Sequence, residues 1–97
     1  DFLKIWFSKM SSIIVYTIEN CLNCDKLKST LRELAIDFEE RNLETKEAII
    51  DLRVLGCFPQ EAPVLRYMNS VYESPSLFGE GGTVNRHIIH RISGKAV

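Results

Sequence analysis

The run Ile13-Ile-Val-Tyr16 constrains this chain more than any other feature. Four consecutive apolar residues, three of them β-branched, break the polar–apolar alternation of a half-solvated strand. Such a strand is buried on both faces, so it lies inside a sheet covered from both sides. The pattern after it has a different period. Thr17 to Asn20 is a short polar connection. Across residues 22–35, Leu27, Leu31 and Leu34 recur at i, i+4 and i+7, one apolar helix face. Asn20 suits the N-cap by residue type.

The same reading orders the rest of the chain. Asp37 to Leu43, charged around Phe38, is expected as a second, partly exposed strand. Thr45 opens another helix whose apolar face is Ala48, Ile49, Leu52 and Leu55, and Gly56 stops it. Cys57 to Pro63 is a loop with two prolines. Val64 to Met68 and Val71 to Glu73 form a hairpin around Asn69-Ser70. Ser74 to Gly82 reads as a loop, and Val84, Ile88, Ile89 and Ile92 mark a last helix ending near Gly94. The order is β-α-β-α-β-β-α. Its first β-α-β unit requires a right-handed crossover between parallel strands, and its hairpin is antiparallel. The expected fold is α/β: a four-stranded mixed sheet flanked by three helices.

Composition narrows the function classes. The 97 residues are 45% apolar and 26% charged, which fits one folded domain and excludes a collagen-like, disordered or membrane-bundle chain. A formal net charge of −1 gives no electrostatic basis for binding nucleic acid or an anionic membrane. Residues 1–11 are read as a leader or upstream segment, with Met10 as a native start, and residues 12–97 as the domain. A short amphipathic helix is the alternative for the leader. Its apolar run is too short to span a bilayer, and no A-x-A-like cleavage site follows it.

Three cysteines are too few, and odd in number, for a disulfide-stapled miniprotein. Two are spaced Cys21-Leu-Asn-Cys24, between the first strand and the first helix. In that context the pair is a redox motif; a structural or metal-bound pair is the alternative, although the second half of a zinc site is missing. The chain here resembles the glutaredoxin branch of the thioredoxin superfamily. The matching pieces are Ile13-Ile-Val-Tyr-Thr17, Cys21-Leu-Asn-Cys24, Ala62-Pro-Val-Leu65 and Gly81-Gly82. The resemblance spans roughly residues 12 to 94.

A helix mouth suits this chemistry. The thiolate attacks disulfides, yet a free Cys titrates near 8.5. Unpaired N–H groups and the positive dipole end of a helix stabilise a sulfur anion. Cys21 is therefore the expected nucleophile, and Cys24, one turn on, the resolving thiol. The resemblance further implies a cis Ala62-Pro63 bond facing the cysteines, and substrate contacts at Ala62, Pro63, Gly81, Gly82 and Thr83. It also implies an alternative in which Cys21 helps hold an iron–sulfur cluster. A third reading is a non-catalytic partner-binding domain.

Three departures from the family pattern argue against glutathione. Glu19 stands where a Lys or Arg is usual, Leu22-Asn23 replaces Pro-Tyr, and Thr83, Val84 and Asn85 replace acidic residues. The expected partners are instead a protein disulfide, such as that of ribonucleotide reductase, and an external reductase. A cytoplasmic monomer without a bound cofactor is expected. Cys57 reads as a small buried hydrophobe, with a third redox thiol as the alternative. His87 and His90 read as solvated helix residues.

Overall fold

The computed structural model describes residues 13–93. The readings of residues 1–11 as a leader and of Gly94 as the end of the last helix fall outside that range. The elements are β1 (Ile13–Thr17), α1 (Leu22–Glu33), β2 (Glu39–Asn42), α2 (Lys46–Val54), β3 (Val64–Tyr67), β4 (Ser70–Tyr72), a one-turn α3 (Ser74–Leu77) and α4 (Arg86–Ser93). The sheet order is β2-β1-β3-β4. β1 runs parallel to β2, with Tyr16 beside Arg41, and antiparallel to β3, with Tyr16 beside Val64. The expected α/β fold of thioredoxin type is the observed one.

The unbroken apolar run of β1 now has its physical reason. Ile13 and Val15 face one core with Leu27, Leu31, Leu65 and Ile89. Tyr16 faces a second core with Ala48, Leu52, Cys57 and Val64, against which Ile14 also packs. α1 and α4 thus cover one face of the sheet and α2 the other, so successive residues of β1 must be apolar. β2 lies at an edge and keeps an alternating exposed pattern over Glu-Glu-Arg-Asn.

Three local expectations are revised. The N-cap of α1 is Cys21, not Asn20; Asn20 takes a left-handed φ of 55° in the turn before it, which Asn tolerates better than most residues. The hairpin turns at Met68-Asn69, because Tyr67 pairs with Ser70. The segment 74–82 is structured: it contains α3 and a 3-10 turn at Glu80–Gly82. The sequence hid α3 because Leu77 is its single fully buried apolar residue, too little to make a period. Phe78 bridges to Val84, and the Asn85 N–H donates to the Leu77 carbonyl at 2.7 Å, closing the segment onto the start of α4.

Candidate active site

β1 leaves the sheet at Thr17, and four residues later the chain enters α1 at Cys21. Cys21 has extended backbone angles and caps the helix with its own sulfur: Sγ accepts the Cys24 N–H at 3.0 Å. The Asp25 N–H donates to the Cys21 carbonyl at 3.1 Å, starting the helical ladder. Cys21 and Cys24 are joined in a disulfide, with their Cα atoms 5.2 Å apart. Cys24 is 1% exposed, whereas Cys21 is only half-buried. The sulfur that caps the helix is therefore the one an incoming molecule reaches.

Two grooves flank this corner. The first, about 560 Å³, lies between α1 and the turn before α4, with Leu22, Lys26, Gly82, Thr83 and Arg86 among its walls. Gly81 and Gly82 hold φ of 74° and 75° there, a conformation that disfavours side chains. Lys26 donates from Nζ to the Gly82 carbonyl at 3.3 Å, tying the paired-glycine turn to α1. Thr83 is exposed; its hydroxyl donates to the Glu80 carbonyl at 3.3 Å and its carbonyl accepts the Gly79 N–H at 2.8 Å. The second groove, about 440 Å³, contains Cys21 itself with Ile18, Glu19, Asp25, Lys28 and Glu40.

The Ala62-Pro63 bond is cis. Since Tyr16 pairs with Val64 in antiparallel register, Pro63 falls level with Thr17, at the sheet end from which the chain goes on to Cys21. Pro63 is buried, Ala62 is half-buried, and the Pro63 carbonyl accepts a 2.7 Å hydrogen bond from the buried Ser74 hydroxyl. Thus α3, invisible in the sequence, buttresses the proline.

A network beneath the β1–α1 corner also escaped the sequence. The Thr17 hydroxyl donates to Glu40 Oε2 at 2.7 Å, and Lys28 Nζ donates to the same oxygen at 3.0 Å. These two bonds hold the Glu40 carboxyl below the usual carboxylate range. No local signal marks this triad; it is assembled by the parallel register of β1 with β2.

Cys57 lies in the core under α2, on the face of the sheet away from α1. Burial, with a smaller contribution from the Glu73 charge, pushes its thiol pKa up. That is the environment of an inert, neutral thiol. Among the described residues no group of three or more His, Cys, Asp or Glu side chains is placed to hold a metal ion. His87 is exposed and donates its N–H to the Asn85 side chain, which caps α4. Among the described residues no helix is long and apolar enough to cross a membrane.

This sheet order, with a disulfide-forming pair at the mouth of the first helix, is that of the thioredoxin-type fold. The glutaredoxin family model matches residues 13–55, from the start of β1 to the end of α2. The crystal structure of a glutaredoxin (grx-1) from Archaeoglobus fulgidus has a similar fold, with a TM-score of 0.56 and 16% identity over 91% of each chain. A search of the curated proteins finds no match. The chain is thus similar to glutaredoxins over residues 13–55 and shares the fold of a solved glutaredoxin.

Proposed function

We propose that this protein reduces disulfides in other proteins through the Cys21–Cys24 dithiol. The observation that carries the reading is the helix-capping position of Cys21, whose Sγ accepts the Cys24 N–H at 3.0 Å. In the reduced protein that N–H and the positive helix end favour the thiolate over the thiol. The Cys21 thiolate attacks one sulfur of the substrate disulfide. The substrate S–S bond breaks, a mixed disulfide forms, and the released substrate thiolate takes a proton from water. Cys24 then loses its proton and attacks Cys21 Sγ. The internal disulfide closes, the second substrate thiol leaves, and two electrons have passed to the substrate. An external reductase restores the dithiol.

Ala62, Pro63, Gly81, Gly82 and Thr83 form the substrate-binding rim in this reading. The Ala62 backbone pairs with an extended substrate segment, in the manner of strand addition. The protein works as a cytoplasmic monomer without a resident cofactor. Ribonucleotide reductase exemplifies the substrate class, and glutathione is a poor substrate beside Glu19.

The test uses pre-reduced protein and a disulfide-bonded protein substrate, with free thiols and adducts followed by mass spectrometry. Cys21→Ser abolishes reduction. Cys24→Ser retains the first attack and accumulates the mixed disulfide. Equal turnover by the wild type and both variants would refute the scheme. Offering the oxidised protein first glutathione with its reductase, then a thioredoxin-type reductase, identifies the donor class; the second is expected to restore both thiols faster.

A further inference from the structure

The groove that contains Cys21 carries an uneven charge. Its walls hold three carboxylates, Glu19, Asp25 and Glu40, and two cations, Lys28 and Arg41. Both cations are engaged. Lys28 lies 3.0 Å from Glu40, and Arg41 is bound by Glu39 and by Asp51, the latter at 3.3 Å. Glu19 is exposed and has no side-chain partner among the described residues. Asp25 is 72% exposed, with its nearest ammonium, that of Lys28, 3.9 Å away. Glu19 precedes Cys21 by two residues and Asp25 follows it by four, so the carboxylates bracket the reactive sulfur along the chain. The remaining cations of this corner, Lys26 and Arg86, line the other groove; Lys26 is bound to the Gly82 carbonyl and Arg86 to Glu33. Ile18, 38% exposed, lines the same groove, and Leu22, next to Cys21 in sequence and 70% exposed, stands at the adjoining groove.

We infer that the Cys21 groove selects disulfides whose cysteine is flanked by Lys or Arg, with Glu19 and Asp25 as the specificity-determining carboxylates. A basic, apolar-edged protein segment fits it, with the cationic residue against Glu19 and Asp25 and the apolar residue against Ile18 or Leu22. The inference rests on the disulfide-reductase reading and names its substrate class. Unit charges a few ångströms apart near a protein surface interact appreciably, and salt weakens the interaction over about 10 Å at 0.1 M.

The experiment measures reduction of three small disulfides by the pre-reduced protein, freed of excess reductant. The probes are cystamine (cationic), bis(2-hydroxyethyl) disulfide (neutral) and 3,3′-dithiodipropionate (anionic). Each rate is divided by that of the same disulfide with 1-thioglycerol, a small neutral thiol, which removes leaving-group differences. At low ionic strength cystamine is expected to be favoured over dithiodipropionate by about tenfold, with the neutral disulfide between. High salt, or the double variant Glu19→Gln with Asp25→Asn, reduces that ratio to about twofold. Glu47→Gln, an exposed acid at the start of α2, leaves it unchanged. A flat or reversed ranking overturns the charge inference while leaving disulfide reduction intact, as does a ratio indifferent to the double variant. Reduction of none of the three overturns the reductase reading itself.

Discussion

Cys24 is shut away at 1% exposure while Cys21 is only half-buried and lines an open groove. In the proposed mechanism that difference sets the order of events: a bulky substrate disulfide reaches Cys21, and Cys24 attacks the mixed disulfide from within. The spacing of the pair and its place at a helix mouth were legible in the sequence, because both are local properties. Glu40 was legible only as a charge. Its two hydrogen bonds come from Thr17, 23 residues earlier, and Lys28, 12 residues earlier. With its folded pKa depressed, Glu40 contributes stability above the ordinary carboxylate range and loses it as pH falls through the lowered value. Its partial exposure limits the effect to about 0.5 kcal/mol. Glu40→Gln should therefore be less stable than the wild type at pH 7 in urea denaturation, and the gap should close in strong acid.

Among the elements, α2 and α3 behave differently under substitution. α2 was readable because Thr45 caps it, accepting the Ala48 N–H at 3.2 Å, and because Ala48 and Leu52 recur at helical spacing. Thr45→Ala removes that cap and should cost about 1 kcal/mol, measured by denaturation. α3 is a single turn held by tertiary contacts. Leu77 fills the core shared with Val15, Leu27 and Ile89, and Ser74 bonds the Pro63 carbonyl. Leu77→Ala should cost about 3 kcal/mol, and should also slow substrate reduction by loosening the segment that braces Pro63. Full activity at full stability in that variant would contradict the role given to α3. The 74–82 segment looked like loop because Ser, Pro and Gly dominate it. Its order comes from Leu77 entering a distant core rather than from local propensity.

At the scale of the whole molecule, the disulfide closes a very short loop, three residues apart in sequence. The chain-entropy account assigns roughly 1–2 kcal/mol to such a loop. Reduction should therefore lower the melting temperature by about 5–10 °C, which calorimetry with and without dithiothreitol would show. Equal melting of the two forms would mean that anion stabilisation at the helix mouth offsets the lost constraint. The residue order alone was enough to specify the fold class, the sequence of the main elements and the place of the Cys21–Cys24 pair. Each depends on periodicity, on capping chemistry or on neighbours within a turn. Folding in three dimensions was needed to seat Lys26 on the Gly82 carbonyl, to bring Thr17 and Lys28 onto Glu40, and to put Cys57 behind the sheet rather than beside the cysteine pair. It also gathered Glu19, Asp25 and Glu40 around one sulfur while occupying the nearby cations elsewhere. Contacts of this kind join residues from different elements, so their geometry is set by strand register and helix packing, which no local stretch of chain encodes.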